Sequence, residues 1–229
     1  MRGILSYLKR LWATDIALTT LLVFLFIYIF FLYPMGEIDS VQVLTKLFFS
    51  LILITGAIAA TKNRIFRALV LLWGVLAFIF LWVKHLFPYQ VFPFLTTCLS
   101  LIFLVLLTFL ILGQAFREGP TTSHRITGSV AVYLLLGLIW SLAYYLIALL
   151  IPEAFAVQGS SVRGDSESLH SHFFYFSFIT LTTLGYGDIV PVHPTARMLV
   201  ILEGVTGQLF PVILIARLVS LHVQSKQNT

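Results

Sequence analysis

Charged residues are scarce in this sequence, and so is cysteine. Asp, Glu, Lys and Arg make up only 10% of the 229 residues, whereas hydrophobic residues make up 59%. A water-soluble domain of this size needs a polar surface that such a composition cannot supply. The single cysteine, Cys98, excludes a disulfide within one chain and gives no information about the cellular compartment. The composition is typical of a protein whose solvent is mostly lipid.

Long apolar stretches dominate the chain. A membrane-spanning helix needs about 20 predominantly apolar residues. Six such stretches are present: Ile16 to Tyr33, Val43 to Ala60, Ile65 to Leu86, Val91 to Phe116, Ile126 to Ile151 and Ala196 to Leu221. A shorter apolar segment, Phe173 to Leu184, cannot cross and is followed by Gly185. The pattern predicts an all-α membrane protein with six transmembrane helices and a re-entrant segment between the fifth and sixth.

The basic residues predict how the chain is oriented. Short loops rich in Lys and Arg stay in the cytoplasm. With both termini cytoplasmic, only four basic residues lie outside: Lys46, Lys84, Arg163 and Arg197. We therefore expect a multi-pass protein of the cell membrane. Topology accounts for the formal net charge of +5, so we expect no nucleic-acid partner and favour anionic lipid headgroups as partners.

A polar segment containing Gly119 and Pro120 divides the chain, because these residues break helices. Residues 1–116 are expected to form a four-helix transmembrane unit, and residues 117–125 a cytoplasmic linker. Residues 126–221 then form a second unit around the re-entrant segment, followed by a short cytoplasmic tail, 222–229. No repeat relates the first three stretches to the last three, which is evidence against the repeated halves common in secondary transporters.

One short run follows the re-entrant segment and precedes the last stretch. It reads Thr182-Thr183-Leu184-Gly185-Tyr186-Gly187-Asp188. Glycine lacks Cβ and adopts positive φ readily, so successive carbonyls can point to one side of a chain that is neither helix nor strand. Rings of such carbonyls can replace the water shell of an ion. In this context the run closely resembles the signature of tetrameric potassium channels, in particular six-span subunits of prokaryotic type with a single pore loop.

The resemblance covers about Phe173 to Val219 and implies the roles of the filter residues. It makes the re-entrant segment a pore helix, about His172 to Thr182, followed by a selectivity filter. K⁺ would bind the carbonyl oxygens of Thr183, Leu184, Gly185 and Tyr186, and Gly187 would complete the filter. The residues implied to support the filter are Tyr175, Phe176, Thr182 and Asp188. The Tyr175 hydroxyl would donate a hydrogen bond to Asp188.

The last stretch would be the inner helix that carries the gate. Its implied gating and pore-lining residues are Glu203, Gly207, Gln208, Pro211, Ile215 and Val219. Gly207 matches a hinge glycine, or alternatively permits close helix packing. Pro211 removes an intrahelical hydrogen bond and predicts a bend. Glu203 is expected behind the filter, either protonated or bonded to a hydroxyl such as that of Thr180, with a role in conduction or gating as the alternative.

One departure from the family concerns position 179. Some members carry a carboxylate where this chain has Ile179, so a filter brace built on that acid is not expected. K⁺ ions in the filter are the only bound groups expected, with no cofactor and no catalytic residue, so the chain is not expected to be an enzyme.

The sequence thus predicts a subunit of a homotetramer that conducts K⁺ passively. Steep voltage gating is not expected, because Val91 to Phe116 contains no Lys or Arg, whereas a voltage-sensor helix has one at about every third position. Two alternatives stay open: a nonconducting subunit that organises membranes, and a secondary transporter, which would need paired broken helices.

Overall fold

A computed structural model describes residues 17–33, 39–59, 64–83, 91–115, 123–157, 160–161 and 166–227. The helices are α1 (Ala17–Leu32), α2 (Asp39–Ala59), α3 (Arg64–Val83), α4 (Val91–Ala115), α5 (Ser123–Leu150), α6 (Ser166–Leu181) and α7 (Pro194–Gln227). The last turn of α1, Tyr28–Leu32, is π-helical. Three short strands are β1 (Phe155–Val157), β2 (Ser160–Ser161) and β3 (Ile189–Pro191).

The helices lie where the sequence predicts membrane spans. Within the described ranges, three segments are long and apolar enough to cross a membrane: Phe92–Gly113, Arg125–Leu150 and Pro194–Arg217. Shorter apolar helical segments, Ala17–Leu32, Val43–Gly56 and Val70–Phe80, lie in the other three predicted spans. The mostly helical architecture agrees with the predicted all-α membrane fold, while six complete crossings stay a prediction.

Helix α4 packs against α5 of the same chain, and the first four helices share one hydrophobic core with it. Buried residues on α4, such as Leu104 and Ile111, share one core with Val132 and Leu135 on α5. Phe174 on α6 belongs to the same core. Because lipid tails are as apolar as leucine, close packing rather than removal from water stabilises such contacts. The peripheral helices are thereby joined to the helices that hold the candidate filter.

Two helices extend beyond the expected bounds. Helix α6 begins at Ser166, before the expected start at His172, and α7 continues to Gln227, within the expected tail 222–229. Neither added stretch contains Gly or Pro, so nothing in these stretches interrupts the helix. The end of the predicted linker, from Ser123, belongs to α5. The Gly119-Pro120 break, at which the chain was divided, lies outside the described residues.

A small antiparallel sheet, which no pattern in the sequence predicts, lies beside the candidate filter. The strand order is β2-β1-β3, and Ala156 on β1 pairs with Val190 on β3. The amides of Val192 and His193 both donate hydrogen bonds to the Ala154 carbonyl, at 2.8 and 3.2 Å. The sheet therefore fixes the chain that leaves the filter to the segment that follows α5.

Candidate functional site

The loop after α6 has an alternating backbone conformation. Thr183, Gly185 and Gly187 have positive φ values of 62°, 51° and 78°, whereas Leu184 and Tyr186 between them do not. Positive φ is strained for a residue with a Cβ such as Thr183, and strain of this kind concentrates at functional sites. Two of the three positions are glycines, as this conformation favours. The alternation lets successive carbonyls face one side of the loop.

Backbone hydrogen bonds attach this loop to the end of α6. The amides of Leu184 and Gly185 both donate to the Ile179 carbonyl, at 2.9 and 3.1 Å, and the Thr183 amide donates to Thr180 at 3.0 Å. The Thr182 hydroxyl donates to the Phe178 carbonyl at 2.6 Å. Ile179 lacks a side-chain carboxylate, but its main-chain oxygen fixes the start of the loop.

The expected support residues lie on two sides of α6. Phe176 is buried, with its ring centroid 5.2 Å from that of Tyr144 and 5.7 Å from that of Phe155. Tyr175 is 38% exposed and its hydroxyl interacts with Asp188. The hydrogen bond that the resemblance implies between them stays a prediction. The Asp188 Oδ1 atom is buried without a hydrogen-bond partner among the described residues. Phe176 thus packs within the chain, while Tyr175 lies beside the end of the candidate filter.

Two side chains of the loop are uncovered. Leu184 is 59% exposed and Tyr186 is 69% exposed. Where the carbonyl groups of such a loop face an ion path, its side chains point away from that path and need neighbouring helices to pack against. A single chain does not supply that packing.

Gly207 lies where α7 crosses the end of α6. A Cβ at this position would overlap the Leu181 carbonyl oxygen and crowd the Leu181 backbone. The same carbonyl accepts a hydrogen bond from the Tyr133 hydroxyl on α5, at 3.2 Å. The geometry favours the close-packing role of Gly207, and the hinge role stays a prediction.

Glu203 joins three helices. Its side chain is fully buried, and its Oε2 atom accepts a hydrogen bond from the Tyr144 hydroxyl on α5 at 2.5 Å. Its Oε1 atom lies 2.6 Å from the Ser177 hydroxyl on α6, which also lies 2.8 Å from the Gly137 carbonyl oxygen. The expected hydroxyl partner is found, but it is Ser177 and Tyr144 rather than Thr180.

These two partners of Glu203 are not predicted by the sequence. Ser177 is a single small polar residue within the aromatic run 173–178, and Tyr144 lies in a long apolar helix. A polar residue in the middle of each segment signals a buried interaction, because an unpaired hydroxyl among apolar groups is costly. Helical spacing within one segment does not identify which hydroxyl on a neighbouring helix meets the carboxyl group.

The remaining expected residues of the inner helix lie away from the packed face. Gln208, Ile215 and Val219 are exposed, and Pro211 is half-buried inside an α7 that continues past it. Other exposed apolar residues of α7 extend this uncovered surface: Met198, Ile201, Leu202, Val205, Leu209 and Val212. The surface requires a partner or lipid to cover it.

Comparison with known proteins identifies the class of this region. Residues 132–224 match a family model described as an ion channel. The match runs from α5 through most of α7 and includes the candidate filter, but covers less than half of the chain. The matched family is one of channels and not of enzymes.

A second similarity points to potassium. The chain is 45% identical over 65 residues to Two-pore potassium channel 4 of Arabidopsis thaliana. The aligned part is 28% of this chain and 22% of the relative. No solved structure matches. Together the two similarities support an ion channel of the potassium type, located in a membrane.

Proposed function

We propose that this chain is one subunit of a K⁺-selective channel that conducts passively across the cell membrane as a homotetramer. The observation that carries the proposal is the backbone of residues 183–187, in which positive φ alternates with ordinary φ. That conformation suits a column of carbonyl oxygens that replaces the hydration shell of K⁺. The ion ligands in this proposal are the carbonyls of Thr183, Leu184, Gly185 and Tyr186, with no other cofactor.

The proposed assembly follows from what one chain leaves uncovered. Each chain supplies one filter loop, and a closed cage of oxygens needs several copies around an axis. The exposed side chains of Leu184 and Tyr186 and the uncovered surface of α7 are surfaces that other copies would cover. The number four comes from the resemblance to tetrameric channels.

The proposed channel is not steeply voltage-gated. Moving one elementary charge across 100 mV supplies about 2.3 kcal/mol, so steep gating needs several mobile charges. Helix α4 contains no Lys or Arg. We expect open probability in planar bilayers with symmetric potassium to vary weakly over a wide voltage range. A sigmoid that requires several gating charges per channel would contradict this.

Ion flux tests the proposed function. Purified protein in liposomes with a potassium gradient should pass K⁺ and Rb⁺ without a counter-substrate and should pass Na⁺ poorly. Protein-free liposomes from the same preparation are the control. Comparable Na⁺ and K⁺ permeability would overturn the filter assignment. Intact oligomers without flux would favour the nonconducting subunit, and flux that needs a counter-substrate would favour a transporter.

Orientation and lipid partners belong to the same proposal. We infer that both termini are cytoplasmic and that anionic headgroups interact with the basic cytoplasmic residues. Protease access to tags fused at either end, in sealed cells and in inverted vesicles, tests the orientation. Cleavage of either tag from outside sealed cells would refute it.

A further inference from the structure

A cavity lies between the peripheral helices and the pore helix. It has a volume of about 170 Å³ and is bounded by α1, α2, α4, α5 and α6. Phe49 on α2 and Phe174 on α6 contribute to its walls. The Tyr33 ring also lines it and stacks on Phe174 with a centroid separation of 3.7 Å. The walls therefore include aromatic rings of both the peripheral helices and the pore helix.

Hydroxyl groups line this cavity, and at least two of them already donate their protons to the backbone. Thr45 donates its proton to the Val41 carbonyl at 2.9 Å, and Thr97 donates to the Pro93 carbonyl at 2.7 Å. A hydroxyl that has donated its one proton still has acceptor capacity. The residues Thr96, Ser100 and Ser141, which are buried, add further hydroxyl oxygens to the lining. The lining is therefore rich in acceptors set among apolar walls.

This chemistry defines the class of ligand. A matching molecule has an apolar body and one hydroxyl that donates to a threonine or serine oxygen. Lys46 also lines the cavity, and its ammonium group can donate to the oxygen of the same ligand hydroxyl. An engineered apolar cavity of about 150 Å³ binds benzene, so a volume of about 170 Å³ suits a single substituted ring. We propose that this cavity is a binding site for small neutral phenols.

The position of the site gives binding a consequence for the channel. His170, Ser171 and Phe174 line the cavity and lie on α6, the helix that ends at the candidate filter. A ligand there contacts the peripheral helices and the pore helix together. Binding of a phenol at this site does not depend on the proposed function, whereas an effect of that binding on K⁺ flux rests on it.

Fluorine NMR of para-fluorophenol tests the binding. The full-length protein in lipid nanodiscs should give a bound resonance that is distinct from phenol dissolved in lipid, with empty nanodiscs as the control. Para-fluorotoluene has a similar apolar body without the hydroxyl, and para-fluorobenzoate replaces the hydroxyl by an anion. We expect para-fluorophenol to bind more tightly than either. No protein-dependent resonance, or tighter binding of the toluene or benzoate analogue, overturns the proposal.

A matched pair of variants locates the site on α2. Thr45 and Thr55 each donate to the carbonyl four residues earlier, but only Thr45 is part of the cavity lining. Thr45→Phe should fill the cavity and weaken para-fluorophenol binding at least tenfold, while Thr55→Phe leaves it unchanged. Equal affinities for the two variants would contradict the assignment.

A third variant tests the hydrogen bond to the phenol hydroxyl without filling the cavity. It also replaces Thr45→Phe as the test of the site if that variant does not fold. Thr97→Val keeps the shape of the side chain and removes its oxygen. Losing one hydrogen bond should weaken phenol binding by about threefold to tenfold, with no change for para-fluorotoluene. A Thr97→Val protein that binds both ligands like the native protein would refute the role of the hydroxyl. Liposome K⁺ flux with and without phenol then measures the coupling separately.

Discussion

The hydrogen-bond partners of Glu203 indicate whether its carboxyl group carries a proton. Ser177 has a single hydroxyl proton but two close acceptors, the Gly137 carbonyl at 2.8 Å and Glu203 Oε1 at 2.6 Å. If Ser177 donates to Gly137, the contact with Oε1 needs a proton on the carboxyl group. If Glu203 is ionised, Ser177 must donate its only proton to Oε1, and the contact between Ser177 and the Gly137 carbonyl is left without a proton. Only a neutral Glu203 satisfies both contacts and the bond from Tyr144.

Two substitutions separate the neutral from the ionised form. Glutamine offers one donor group and one acceptor, as a neutral glutamic acid does, so Glu203→Gln should keep the contacts with Ser177 and Tyr144. We expect the proposed tetramer of this variant to be within about 1 kcal/mol per subunit of native stability. Glu203→Leu leaves the Tyr144 hydroxyl without its acceptor, and an unpaired buried hydroxyl costs about 1–3 kcal/mol. Thermal dissociation of the tetramer in detergent measures both variants.

Infrared spectroscopy measures the proton itself. Because the chain contains nine Asp and Glu residues, the carbonyl band of a protonated carboxyl is assigned by subtracting the Glu203→Gln spectrum from the native one. We expect that band at neutral pH. Its absence, or a glutamine variant as unstable as the leucine variant, would refute the argument.

The pH response follows from the same protonation. Loss of the proton at alkaline pH would place a negative charge beside Tyr144 and break the contact between Ser177 and Gly137. K⁺ flux of the native protein should therefore change at alkaline pH, and the Glu203→Gln variant should respond less. Tyr144 and Tyr133 are the titratable side chains that also face Glu203, so Tyr144→Phe is the control for tyrosine ionisation. Identical pH–flux curves for the native and glutamine proteins would leave Glu203 a purely structural role.

Two further predictions concern glycines. Gly187→Ala should reduce K⁺ flux without preventing membrane insertion. Alanine at a φ of 78° is strained by about 1–2 kcal/mol, although its Cβ has open space within one subunit. An unchanged single-channel current would count against the filter assignment. Gly207→Ala should destabilise the packing of α7 on α6, because its Cβ overlaps the Leu181 carbonyl. Gly204→Ala is the control, because a Cβ at Gly204 has open space around it. Equal stability of the proposed tetramer in the two variants would contradict close packing at Gly207.

Much of the fold follows from the sequence because the bilayer imposes a length on each helix. Stretches of about 20 apolar residues predict the helices, and the described helices lie within them or extend them by a few residues. The sheet beside the filter was not predicted. Its strands are two or three residues long, too short for an alternating pattern to be distinguished. Their pairing depends on contacts between distant segments, which no local pattern encodes.

The candidate site, like the fold, was predicted from the sequence only in part. The positive φ values at Gly185 and Gly187 were expected from the residue type, because glycine makes that conformation accessible. The contacts of Glu203 required the structure, because they depend on how α5, α6 and α7 are placed relative to one another. The role of Gly207 also could be identified only from the structure. A glycine in a helix is compatible with a hinge or with close packing, and only the position of Leu181 favours one of them.

The packing of the peripheral helices limits the kinds of stimulus that can reach the candidate filter. Helix α4 carries no Lys or Arg, so a membrane potential exerts little force on it. Its buried face shares a core with α5 and with Phe174 of α6. A change in how these helices pack therefore reaches α6, the helix before the candidate filter, through direct contact and without a charged side chain that moves in the membrane field. Occupancy of the cavity beside Phe174 is a change of that kind, because a ligand there occupies space between the same helices. We therefore expect the peripheral unit to respond to chemistry within the membrane rather than to voltage.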